Sequence, residues 1–332
     1  MRINTIILSC FLLFSSVSFS VAEEGRLLEN FKSIPVLHEG RIKPLDTYAR
    51  NLLIQFVGKE SYNRKEAIVW LAKLLFTPQA TINDKIFLIN NPEIATALNI
   101  KPDEHRRYSF AELRNVYSKM LELEQAAQGI EEKQRSLVEN EIIRVTENVK
   151  LYLEYGNVFS WAFPNPDFTI TSKDIKKQIG LALDHDQFSF IDIALKADKI
   201  KNLTLSFKEK KPDQLSIGQK EIFMVASNLF AWAQSNKNLP FSFISSNQHN
   251  YWHSPWDAIS IDFSNEDTRK LIELWHKMAL AYAAGNFVEF NISSHLYVDM
   301  VKENLSPTDS KLINKFPLEL IYHASMPFGL AK

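Results

Sequence analysis

Apolar positions recur along most of this chain at the three-and-four spacing that gathers them on one face of a helix. Leu45, Tyr48, Ala49, Leu52, Leu53 and Phe56 form the first such stripe. Asp46 or Thr47 stands at its amino end and Gly58 just past its far end, so the spacing predicts a well-punctuated amphipathic helix. A second helix is expected over Arg64 to Phe76 on Ile68, Leu71, Ala72 and Leu75, stopped by Pro78. Ahead of both, residues 31 to 44 carry Pro35, Gly40 and Pro44 around the apolar run Ile34 to Leu37, which reads as an extended segment and a turn. Lys85 to Asn90 reads as a short strand.

Leu113, Val116, Met120, Leu123 and Ala127 then alternate gaps of three and four, and after Gly129 the same seam resumes at Val138, Ile142, Val145, Val149 and Tyr152. Two long helices folded back on each other as an αα-hairpin are the expected outcome. Pro164, Asn165 and Pro166 break the pattern within Phe159 to Phe168, which places a boundary there. Beyond it a helix is expected near Ser172 to Leu183, an apolar run covers Phe188 to Leu195, and the alternation of Leu203, Leu205 and Phe207 reads as a strand. Helices return at Ile217 to Gln234, Asn265 to Ala284, Asn286 to Glu303 and from Asp309 onward, leaving an aromatic loop at Leu239 to Asp257. The fold class is therefore mainly α: a helical bundle with a long αα-hairpin and a few short strands. Residues 1–22 are set apart as a leader, 23–163 as an amino-terminal helical domain and 164–332 as a second, mainly helical domain.

Charge and composition remove several functions. The 38 basic residues balance 39 acidic ones for a net charge of -1, so no basic surface is available for nucleic acid. The 9 glycines form no phosphate-cradling loop, which disfavours dinucleotide and P-loop enzymes. Arg2, the apolar run Ile6 to Phe14 and the small-x-small site Ser20-Val21-Ala22 read as a secretory signal peptide. An uncleaved anchor is the other reading, because Thr5 to Ala22 is uncharged, though its serines weigh against it. Cys10 lies inside the apolar run rather than after it, so it is poorly placed for lipidation. Cleavage after Ala22 removes this single cysteine and with it any disulfide or thiolate chemistry. A periplasmic location follows as the expectation.

Candidate chemistry is sparse. His249 and His253 stand four apart in HNYWHSPW beside Tyr251, Trp252 and Trp256, a spacing that on a helix presents two imidazoles to one metal or haem, or, on the bland reading, an aromatic packing loop. His185 between Asp184 and Asp186 is either a carboxylate-oriented base or a solvated helix end. No GxSxG, HExxH or CxxCH occurs, so neither a common hydrolase site nor covalent haem attachment is encoded, and no catalytic residue or metal ligand is assigned. In Ile34 to Leu53 a turn brings His38, Glu39, Arg41, Lys43 and Asp46 together before a helix. They read either as a buried or partner-facing charge network, or as a turn in which Arg41 and Asp46 pair locally.

That stretch, PVxxxGRIKPLDT at Pro35 to Thr47, resembles the extracytoplasmic region of System II cytochrome c biogenesis proteins of the CcsBA or ResB/ResC type. The likeness continues through Val69 to Asn91, Arg107 to Leu113 and the hairpin, and returns at YWHSPWDAI, Tyr251 to Ile259, and LELIYHASMPF, Leu318 to Phe328. It covers about half the chain beyond the leader and leaves Asn165 to His249 unmatched. The family joins haem to apocytochromes outside the membrane, using membrane histidines and a tryptophan-rich WWD segment that this chain lacks. No haem ligand therefore carries over; Pro255-Trp256-Asp257 is not that segment. In the family a segment like Leu318 to Phe328 leads into the first membrane helix of the core, whereas here the chain stops at Lys332. The resemblance thus implies a separately encoded, non-enzymatic accessory subunit without a cofactor of its own. Its partner would be an integral membrane cytochrome c synthetase-like protein that supplies any haem, and apocytochrome c is a further partner. Contacts are expected at His38, Arg41, Lys43, Asp46, Trp252, Trp256, Tyr322 and Phe328, holding the subunit at the inner membrane from the periplasmic side. The rival expectation is a periplasmic ligand-binding or enzymatic protein with a pocket around Trp252, His253 and Trp256 and His249 as a base.

Overall fold

The computed structural model describes residues 27–234, 242–246, 251–261, 263–305 and 307–325. Residues 1–22, with Cys10, and the positions His249 and Phe328 lie outside the described residues. The class is mainly α, with the strands among the described residues confined to two-stranded antiparallel sheets.

The short helix α1 (Glu29–Lys32) drops Phe31 into the core, and the chain then turns through β1 (Pro35–His38) and β2 (Arg41–Pro44). Glu39 and Gly40 link these strands with positive φ values of 52° and 74°. That left-handed pair matches strand twist in a two-residue hairpin and explains the glycine, since a Cβ there would meet no atom within 4 Å. Pro44 leads straight into α2 (Leu45–Val57), which buries the expected stripe and ends on Gly58 in the left-handed conformation. The second helix begins later than its pattern predicts. Asn63 and Arg64, at φ 51° and 63°, form another tight turn between β3 (Ser61–Tyr62) and β4 (Lys65–Glu66), so α3 runs only over Ala67–Phe76. α3 is apolar nearly all round and occupies the centre of the molecule.

Next come β5 (Lys85–Leu88), α4 (Pro92–Ala97), β6 (Arg107–Ser109), α5 (Phe110–Leu113), α6 (Tyr117–Gln128) and α7 (Leu137–Asn157). The hairpin of α6 and α7 forms as the seam predicts, except that a 3-10 turn at Arg114–Val116 divides its first arm. After a junction at 158–163 the chain continues through β7 (Pro164–Thr169), α8 (Lys173–Ile179), β8 (Gln187–Ser189), α9 (Phe190–Ala194), α10 (Ala197–Ser206) and α11 (Ile217–Gln234). Leu203 to Ser206 are thus helical, not a strand. Leu203 and Phe207 sit one turn apart against the core while Leu205 between them is exposed, a burial that mimics strand alternation over so few residues.

The two runs are an internal repeat. Ser109 and Ser189, Phe110 and Phe190, Glu112 and Asp192, Met120 and Ile200, Ile142 and Ile222, and Val145 and Val225 correspond at one constant offset. Ser109 with Glu112 and Ser189 with Asp192 build the same reciprocal helix cap. Glu141 accepts from the Asn90 amide at 2.7 Å, and Glu221, its counterpart, accepts from the Thr171 amide at 3.1 Å, each just before the cap of the following short helix. Single-turn 3-10 segments at Glu132–Gln134 and Pro212–Gln214 complete the correspondence.

The expected aromatic loop instead contains β9 (Ile244–Ser246), β10 (Tyr251–His253) and the start of α12 (Pro255–Ile261). Long helices α13 (Glu266–Ala283) and α14 (Phe287–Glu303), capped by Asn265 and Asn286, pack on each other, and α15 (Pro307–Ile313) and α16 (Phe316–Ser325) follow. One hydrophobic cluster runs from Leu28 to Val301 across residues on both sides of 163 and 164. Its centre is aromatic: Trp275 stacks on Phe159 at 4.9 Å and lies 4.4 Å from Phe243, whose carbonyl accepts the Tyr297 hydroxyl. No helix among the described residues is long and apolar enough to cross a membrane.

Candidate functional site

Residues from three separated stretches, Pro35 to Thr47, Tyr251 to Ile259 and the start of Leu318 to Phe328, meet at one place. The hairpin β1–β2, strand β10 and helices α15 and α16 enclose a cavity of about 580 Å³ walled by Leu37, Ile42, Trp252, Leu312 and Phe316 and rimmed by Arg41, Asp309, Lys315 and Glu319. Ile42, Ile313 and Phe316 form a small buried cluster beneath it, with Trp252 packed against them. β1 is held from the other side, where Leu37 exchanges backbone hydrogen bonds with Ser242 at 2.7 and 3.1 Å.

Glu319 is the joint. It accepts the Thr47 hydroxyl at 2.7 Å and lies 3.5 Å from the Arg41 guanidinium, so α16 is pinned to the turn and to the first turn of α2. Beside Glu319, α16 exposes Leu318, Ile321 and Tyr322 to solvent. They stand one turn apart, which makes an apolar stripe on a helix already anchored through Glu319.

The charges of the turn do not pair as the local reading proposed. Asp46, buried in the first turn of α2, accepts from Arg50 Nε at 2.8 Å, and Arg50 Nη1 reaches Glu60 at 3.4 Å, while Arg41 goes to Glu319. Asp46 Oδ1 has no hydrogen-bond partner among the described residues. β2 alternates, so Ile42 faces the cavity and Lys43 points to the opposite, inner side, where its Nζ is 3.2 Å from His38 Nδ1. Burial pushes the Lys43 ammonium below the usual lysine range, and burial with the Lys43 charge does the same to His38. The His38 ring meets Tyr48 edge-on at 4.9 Å. His38, Lys43 and Asp46 therefore brace the hairpin from behind, and Arg41 is the member of that group on the cavity rim.

The aromatic motif divides in the same way. Trp252 walls the cavity, whereas Trp256 is buried among Phe190 and Trp232, at 5.4 and 6.0 Å, so the two indoles do not share a pocket. Ser254, Pro255 and Asp257 start α12: Ser254 Oγ accepts the Asp257 amide at 3.2 Å and donates to its carboxylate at 2.6 Å. His253 belongs to β10, opposite Ile244. No group of three histidine, cysteine or acidic side chains is placed to hold a metal among the described residues. His185 is exposed beside Asp184 at 2.9 Å, and Asp186 instead pairs at 2.8 Å with the buried Lys176.

Sequence reasoning missed Glu319, Phe316 and Arg50. Arg50 carried a signal, since an acidic residue followed by arginine four positions later on a helix is a pairing pattern. Glu319 carried none, because its partners lie at the other end of the chain.

No protein-family model matches the chain. It is similar to Protein NrfI of Wolinella succinogenes, with 26% identity over 130 residues that make up 38% of this chain and 14% of that protein. The chain thus spans a small fraction of that protein's length.

Proposed function

We propose that this protein is an exported accessory subunit in c-type cytochrome biogenesis, without catalytic activity of its own. It docks from the periplasmic side on an integral membrane cytochrome c synthetase-like protein and positions that core, or its apocytochrome substrate, for haem attachment. Any haem is the partner's. The single observation that supports this is the meeting of PVxxxGRIKPLDT, YWHSPWDAI and the start of LELIYHASMPF around one cavity, although they are far apart in sequence. The distant similarity to NrfI is in keeping with it. The docking element is α16: Glu319 ties the helix to Arg41 and Thr47, and the exposed Leu318 and Ile321 meet the partner.

Covalent haem staining of separated membrane and periplasmic proteins tests the proposal in cells lacking the gene and complemented with wild type, Ile321→Asp or Glu319→Ala. Ile321 is 64% exposed, so the aspartate leaves the fold intact and removes apolar contact area only. Loss of haem bands in the deletion, recovery with wild type and failure with Ile321→Asp are expected, with Glu319→Ala intermediate because it loosens the helix without removing the stripe. Unchanged bands in the deletion strain would refute the role.

A further inference from the structure

The two repeats differ at one place in a way that exposes a site. In the first, α4 and the loop end of the α6–α7 hairpin leave a cavity of about 200 Å³ walled by Ile94, Leu123, Ala127, Ile130, Val138 and Ile142. A hollow of roughly 150 Å³ lined by aliphatic side chains is enough to hold a benzene ring. In the second repeat the corresponding space is closed from two sides. Gly218 stands where the first repeat has Val138, and α8 settles so closely on it that an added Cβ would lie 2.6 Å from Ser172 and 3.0 Å from Ile175 Cγ1. Ile175 stands three residues after the cap of its short helix, as Ile94, one of the cavity walls, does after its own. Phe207 stands where the first repeat has Ala127, its ring half-buried and covered by Lys210 Nζ at 5.4 Å, and Lys210 is itself the counterpart of Ile130. One copy of the unit thus supplies a phenyl ring of its own at this position, and the other supplies an alanine methyl and a gap.

We propose that the cavity between α4, α6 and α7 receives an aromatic side chain, a phenylalanine or its like, projecting from a partner protein. The occupant's chemistry is read from Phe207, which is the chain's own filling of the same position in its other repeat. The one charged group on its walls, Glu139, is engaged by the Ser136 amide at 2.6 Å in the cap of α7, the other walls are apolar, and Leu137, 85% exposed, extends the apolar contact outward. Val138 keeps the mouth open by holding α4 off α7, as Gly218 fails to do in the second repeat. The site is separate from the α16 stripe, and its test does not depend on a role in cytochrome assembly.

The test pans a displayed library of random peptides on the full exported chain and measures the selected peptides individually. Selected sequences should share an aromatic residue, lose at least tenfold in affinity when it becomes alanine, and be displaced by N-acetyl-phenylalanine amide but not by N-acetyl-lysine amide. Ala127→Phe, which copies the second repeat, should weaken them at least tenfold with unchanged circular dichroism. Should that variant fold poorly, Val138→Gly closes the same cavity from the opposite wall and should weaken them as well. Peptides without an aromatic anchor, or peptides that bind wild type and both closed variants equally, would overturn the proposal.

Discussion

Replacing Asp46 with alanine should destabilise the protein far more than a surface charge deletion does, and the structure sets the size of the effect. The Asp46 and Arg50 side chains are only 3% and 9% exposed, and their contact of 2.8 Å is made where little water competes. Removing one member of such a pair strands the other as an uncompensated buried charge, which costs about 3–5 kcal/mol. Glu60 lies 3.4 Å from the Arg50 guanidinium but is half exposed, so it recovers a small part, and about 3 kcal/mol is expected for Asp46→Ala. Arg50→Met should cost a similar amount, because Asp46 would then keep neither its arginine nor a partner for Oδ1. The double variant should lie well short of the sum, with a coupling of about 2 kcal/mol, since no charge is left stranded. Urea unfolding followed by tryptophan fluorescence measures all four proteins, with the denaturant slope checked for constancy. Additive losses within about 0.5 kcal/mol, or single losses below about 1 kcal/mol, would refute the account of Asp46 as a buried brace for the turn.

Stability should also depend on pH through His276, whose proton affinity burial holds below the usual value of 6.5 although its ring donates to the Ala162 carbonyl. The unfolded chain takes up a proton near 6.5 that the folded protein refuses, so this contribution is complete above that pH and is lost as pH falls through it. His38 acts in the same direction. Urea midpoints between pH 8 and about 5.5 should fall on acidification, and His276→Gln should flatten the fall; a parallel profile for the variant would sink the assignment. Gly218→Val should cost about 1–3 kcal/mol, because its Cβ alone would lie 2.6 Å from Ser172. A neutral result in the same unfolding assay would mean that α8 can lift off α11 freely.

The helices were legible wherever one face alone is buried. The stripes of α2, α6, α7, α13 and α14 are set by burial against a single neighbour or layer, and Asn265, Asn286 and the Ser136–Glu139 box mark the starts of three of them. Errors fall where a local pattern fits two periods. Leu203, Leu205 and Phe207 alternate like a strand, yet four residues fix only one helical turn, and the neighbouring α11 decides the outcome. Arg64 looked like helix because nothing in a single sequence marks Asn63 and Arg64 as the left-handed pair of a hairpin. The repeat escaped notice for a related reason: what is kept is mostly caps, small turns and aliphatic positions, which many helical proteins share. The residues that differ, Ala127 against Phe207 and Val138 against Gly218, are those that change the packing most.

The candidate site was half legible in the same sense. Its turn could be recognised from Pro35 to Thr47, since the hairpin and the following helix are local, but the allocation of its charges could not. Asp46 turns to Arg50 one turn along α2, and α16 arrives from another part of the chain to take Arg41. That allocation separates two tasks which the sequence presents as one cluster. The buried Asp46–Arg50 pair fixes the hairpin to α2 whatever happens outside, whereas the contacts of Glu319 with Arg41 and Thr47 are at the surface and individually weak. A helix held by weak outer contacts on a rigid base can shift or detach without unfolding the core, because its own apolar face contributes little beyond Phe316 to the buried cluster. Among the described elements α16 is thus the one that can be displaced from the core at least cost, with the turn as the fixed base beside it.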